Sequence, residues 1–120
     1  MRAIEVIAAD AHKRGLNPTP IIKSIEHYIV TRKGFVLQKG DTVLFARHIT
    51  PKELELHLFT VDSPLRLMGA LVFFVRAIRK SGVESVYGKA ESPQILELLK
   101  RVGVEVHHSD KPHYNWKAVV

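Results

Sequence analysis

Two carboxylates and an imidazole alternate along one short stretch as Glu53, Glu55 and His57, with Leu54, Leu56 and Leu58 in step with them. Successive side chains of a strand point to opposite faces. The pattern therefore puts the three titratable groups on one face and the leucines on the other. A glutamate or histidine so placed can take a proton from an attacking amine or hydroxyl, which makes Glu55 and His57 candidate general bases. The plainer reading is a solvated polar face above a leucine-lined core. A second group is His107, His108, Asp110 and His113, four residues close together in a chain of seven histidines. Zinc needs three or four ligands that converge. Adjacent histidines of a strand diverge, so no metal site is expected.

The third stretch is Arg66-Leu67-Met68-Gly69-Ala70-Leu71, just behind Asp62-Ser63-Pro64. A polar cap followed by proline opens a helix. The N–H groups of a first helical turn have no partner within the helix, and the dipole there favours negative charge. Small residues let a phosphate come near the backbone. This turn therefore has the parts of an anion cradle, against the alternative of a capped core helix that happens to contain Arg-x-x-Gly. The chain has no cysteine, which removes disulfides, thiolate metal sites and a cysteine nucleophile together. No Ser-His-Asp arrangement, Walker loop or zinc-ribbon spacing is present.

These residues need elements to hold them. Ile4 to Arg14 reads as a helix stopped by Gly15. Thr19-Pro20 opens a second, with Thr19 as cap, and Ile21, Ile22, Ile25, Tyr28 and Ile29 recur at the spacing of one helical face. Phe35–Gln38 and Thr42–His48 read as a hairpin around Lys39-Gly40-Asp41, followed by the alternating strand Glu53–Thr60. The helix from Pro64 to Ser81 is apolar nearly all round, which predicts deep burial. Val83–Tyr87 is a strand, Ser92-Pro93 opens a helix closed by Gly103, and Val104–His107 and Tyr114–Val120 can pair. The order α-α-β-β-β-α-β-α-β-β predicts an α/β (α+β) domain over residues 1–120. Its mixed sheet carries helices on both faces.

The stretch from Leu54 to Val106 resembles the acyl-CoA-binding half of the GNAT (N-acetyltransferase) superfamily. In that family the turn after the strand reads Arg/Gln-x-x-Gly-x-Gly/Ala. Arg66 and Gly69 match it, and Leu71 departs from it. The resemblance implies that Phe59, Thr60 and Val61 offer backbone groups to the cofactor's pantetheine arm. It implies a phosphate turn from Arg66 through Leu67, Met68, Gly69 and Ala70 to Leu71, a cofactor contact at Ser92, and a base at Glu55 or His57. The family's proton-donating tyrosine falls on Leu99, which has no proton to give. Tyr87, Tyr114 and nearby histidines remain as donors from elsewhere.

Within the superfamily the chain is most similar to small GNAT-like internal or virion proteins of short-tailed bacteriophages. The shared pattern is Arg66-Leu67-Met68-Gly69 and the run from Ile95 through Leu99-Lys100 to Gly103. Leu71 and Leu99 then lead to the expectation of a degraded GNAT-like domain serving as a phage virion or assembly protein. Its partners would be other virion proteins or itself, in the virion or the host cytoplasm. The alternative is an acetyl-CoA-dependent N-acetyltransferase, cytoplasmic if cellular, with acetyl-CoA its only cofactor. A third reading, a basic nucleic-acid-binding module, rests on the net charge of +6. Most of that charge is already explained by pairs such as Lys13-Arg14 and Arg79-Lys80 near helix ends. The most apolar run, Leu67–Val75, is too short to span a bilayer, and the N-terminus is not a signal peptide, so a soluble protein is expected.

Overall fold

The computed structural model describes residues 1–89 and 93–120. Its elements are α1 (Ala3–Lys13), α2 (Pro18–Val30), β1 (Gly34–Lys39), β2 (Thr42–Thr50), β3 (Glu53–Thr60), α3 (Pro64–Lys80), β4 (Ser85–Gly88), α4 (Pro93–Arg101), β5 (Glu105–His108) and β6 (Trp116–Val119). The order is the one the sequence predicts. The strands form one sheet in the order β1-β2-β3-β4-β6-β5. All neighbours run antiparallel except β3 and β4, which run parallel.

Period-two alternation gives the sheet two apolar faces. On one, Leu44, Ala46, Leu54, Val86 and Ala118 pack against Leu67, Leu71 and Phe74 of α3 and Leu99 of α4. On the other, Val43, Phe45 and Phe59 meet Val6 and Ile7 of α1 and Ile25 of α2. Leu54 is fully buried, worth roughly 2 kcal/mol by area. Gly82 and Gly103, at φ 83° and 88°, follow α3 and α4 in the left-handed conformation that ends a helix.

Three expectations are corrected. The cap of α2 is Asn17, whose side chain accepts from the Thr19 N–H, and Thr19 lies inside the helix. Asn17 precedes Pro18, which already has the backbone angle of a first helical residue. The helix α3 is not buried all round. It sits on one face of the sheet only, so Phe73 is left 41% exposed and Leu65 81% exposed. Lys39 lies over the Phe73 ring, 5.5 Å from its centre. The last strand begins at Trp116 rather than Tyr114, because Tyr114 belongs to the preceding turn, where its N–H donates to the Lys111 carbonyl.

Candidate functional site

The parallel pairing of β3 and β4 lasts for three residues, Glu53 with Ser85, Leu54 with Val86 and Glu55 with Tyr87. Beyond that point β3 continues to Thr60, while β4 ends at Gly88 and pairs only with β6. The sheet therefore forks. Among the described residues, the edge of β3 facing away from β2 has no strand against it beyond Leu56. The Thr60 N–H points to this side and donates to Asp10 of α1 at 2.6 Å. By alternation, the N–H groups of Leu58 and Leu56 face the same way.

The fork opens into a cavity of about 810 Å³. Leu56, His57, Leu58, Phe59 and Thr60 form one wall. Ile21 and Ile25 of α2, Ile95 and Leu96 of α4, and Lys89 lie around it. Trp116 closes the fork from the α3/α4 side. A Cβ on Gly88 would stand 2.4 Å from the Trp116 ring, so only glycine lets the indole lie there.

On the α1/α2 side, a polar network stands at the base of the fork. Glu55 is bonded by Arg47 of β2 and accepts from the Tyr114 hydroxyl at 2.5 Å. Its other oxygen lies 2.5 Å from His57 Nε2. Burial works against the Glu55 charge, but the hydrogen bonds from Tyr114, Arg47 and His57 outweigh it and hold the carboxyl down at about 2. The expected solvated face is thus corrected at Glu55, whose side chain is only 16% exposed. A carboxylate held this firmly is a poor proton acceptor near neutral pH and a good anchor for its neighbour. His57 is open to solvent, lines the cavity and stacks on Phe45 with ring centres 5.9 Å apart.

Next to it, the buried Tyr87 hydroxyl lies 3.0 Å from both Glu53 and Asp110. Burial, with Asp110 and Glu53 behind it, raises this phenol well above its ordinary value. Asp110 is thereby tied to Tyr87. Among the described residues no three histidine, aspartate or glutamate side chains gather as a metal site.

The other predicted residues scatter. Phe59 is buried beneath Arg14, whose guanidinium lies 5.7 Å from the ring centre. Thr60 meets Thr42 hydroxyl to hydroxyl at 2.7 Å, and the exposed Val61 donates to the Asp41 carbonyl. In α3, Leu67, Ala70 and Leu71 are core residues, and Leu71 also reaches the cavity wall. Met68 is half-buried, while Arg66 and Gly69 face solvent outside the cavity lining. Space is open where a Gly69 Cβ would stand. Ser92 lies outside the described residues. Ser63, the N-cap of α3, makes no side-chain capping bond, and Asp62 turns instead to the Asp41 N–H and Thr42 hydroxyl.

Sequence reasoning missed Arg47, Asp10, Gly88 and Trp116. The hairpin register, which sets Arg47 opposite Glu55, held the signal for the first. No local pattern links the others to the fork.

A mixed sheet that forks between its two parallel strands has close counterparts among solved structures. Ard1 from Thermoplasma volcanium superposes with a TM-score of 0.63 at 15% identity, covering 98% of this chain and 91% of that one. A Bacillus subtilis acetyltransferase in complex with CoA gives 0.54 at 14%, covering 83% and 81%. The fold is the GNAT N-acetyltransferase fold. A spermidine N-acetyltransferase chimera from Vibrio cholerae gives 0.51 at 12%, covering 86% and 75%. At these identities the GNAT likeness is one of architecture alone. No protein-family model matches the sequence, and no curated protein is similar to it. The phage likeness read from the sequence has no counterpart among these GNAT structures. Among the described residues no helix is long and apolar enough to cross a membrane.

Proposed function

We propose that the chain is an acyl-CoA-dependent N-acyltransferase, in preference to a degraded GNAT-like virion component. The observation that carries this is the open edge of β3 beside a cavity of about 810 Å³. An unpaired strand edge offers N–H and C=O groups in a row, which suits an extended chain containing amides. A pantetheine arm is such a chain, and Leu58, beyond the last paired residue, offers an N–H group. The phosphates would lie beyond Thr60, where the first turn of α3 lacks a side-chain cap. Leu71 does not crowd that turn, because its side chain goes into the core.

When bound, acyl-CoA supplies an acyl group activated as a thioester. His57 stands at the fork to take the proton of an incoming amine at Nδ1, with Nε2 held by Glu55. The Leu58 N–H, on the open edge, would donate to the thioester oxygen. The leucine at position 99 is no bar to turnover. A cysteine thiol ionises near pH 8.5, and a thioester sulfur of similar acidity would leave as a thiolate without a dedicated acid.

Differential scanning calorimetry with and without acetyl-CoA tests the reading. At a hundredfold excess over Kd the complex gains about 2.7 kcal/mol, a rise of roughly 10 °C in Tm for a domain of this size. An unmoved Tm at millimolar acetyl-CoA and CoA sinks the proposal and returns the virion-scaffold reading to first place.

A further inference from the structure

The two faces of the fork differ in chemistry. On the α1/α2 side stand Arg47, Glu55, His57 and Tyr114. On the α3/α4 side is a second, smaller cavity of about 40 Å³, lined among the described residues by apolar side chains. Leu44, Leu56, Leu71, Leu99 and Trp116 line both this cavity and the large one, so the two adjoin beneath the fork. Val86 and Ala118 form part of its wall on the sheet. Among the described residues no titratable side chain lines the smaller cavity.

We infer that the acyl group this site takes is longer than acetyl, a short aliphatic chain of three or four carbons whose tail enters the apolar cavity. The inference rests on the acyltransferase reading and names its donor. A thioester at the end of β3's open edge would have its carbonyl at Leu58, and the carbons beyond it must turn toward one face. At the base of the fork the α1/α2 face carries the Arg47, Glu55, His57 and Tyr114 network, so aliphatic carbon there displaces water from groups that need it. The smaller cavity on the α3/α4 face has no charged group among its described lining residues. Space of about 40 Å³ for water-sized groups admits roughly two or three carbons. Leu99 forms part of this wall, and it leaves an apolar lining where a hydroxyl would leave a polar one. The amine acceptor then approaches from the other face, past His57.

Isothermal titration of the whole chain with CoA, acetyl-CoA, butyryl-CoA and octanoyl-CoA tests this. Each methylene buried adds roughly fourfold in affinity, so butyryl-CoA is expected to bind about tenfold to fifteenfold more tightly than acetyl-CoA. Octanoyl-CoA gains nothing further once the cavity is full. Val120, half-buried beyond the end of β6, also lines the cavity. Val120→Phe is expected to abolish the butyryl advantage and leave the affinity for acetyl-CoA within twofold. Equal or weaker binding of butyryl-CoA beside measurable binding of acetyl-CoA overturns the chain-length inference and leaves the acyltransferase standing. Binding by none of the four overturns both.

Discussion

Glu55 is the residue on which the polar side of the fork turns. It has three partners, and each one makes it a worse base and a better anchor. Glu55→Gln keeps the shape but removes the charge, leaving Arg47 half-buried without its carboxylate. The loss is expected to be about 1–3 kcal/mol, read as a lower urea midpoint at unchanged m-value. His57→Gln is expected to leave stability within about 0.5 kcal/mol, since the ring is exposed. It should lower kcat by about 10²–10⁴-fold while the Kd for acyl-CoA holds. A His57→Gln enzyme with unchanged kcat would move the base elsewhere. The alternation of Glu53, Glu55 and His57 made the shared face legible in the sequence. The division of labour was not, because it depends on Tyr114, which lies 59 residues away and reaches Glu55 only through the turn before β6.

At the scale of elements, the fork is made by β4 ending at Gly88, with Trp116 lying where a side chain on Gly88 would stand. Gly88→Ala places a Cβ 2.4 Å from the indole. Either the ring or the strand must shift, at a cost of about 1–3 kcal/mol. The expected result is a lower urea midpoint together with altered near-ultraviolet dichroism from the displaced indole. A substitution that leaves both unchanged would show that the ring is not fixed against β4. The helices and strands themselves were readable from caps, glycines and period. Asn17 was overlooked because Thr19-Pro20 imitates the same signal two residues later. The burial of α3 was overestimated because composition does not report which side lacks a neighbour. Phe73 and Leu65 look like core residues in sequence and stand on the uncovered side. The fork itself was invisible, since it is a property of where pairing stops.

For the whole molecule, the charge network sets the pH range of stability. Glu55 ionises at about 2 in the folded protein against 4.5 for a free glutamate. A lowered folded value stabilises the protein fully above the unfolded value, and the gain is lost as pH falls toward the folded one. Glu53 and Asp110 are shifted the same way. Stability to urea is therefore expected to decline between about pH 4.5 and pH 2, and to decline less in Glu55→Gln. The alkaline side has the opposite sign. Tyr87 and Tyr114 are raised chiefly by burial, so they stabilise the protein below about pH 10 and lose that contribution as pH rises further. A urea midpoint that stays flat from pH 5 to pH 2 would contradict the network.

The indole beside Gly88 has one more consequence. Trp116 is the chain's only tryptophan, and it lines both cavities. Its emission colour follows the polarity of what lies against it. The protein thus carries a built-in optical probe at the fork, and no dye or label is needed to see whether the fork holds water or carbon.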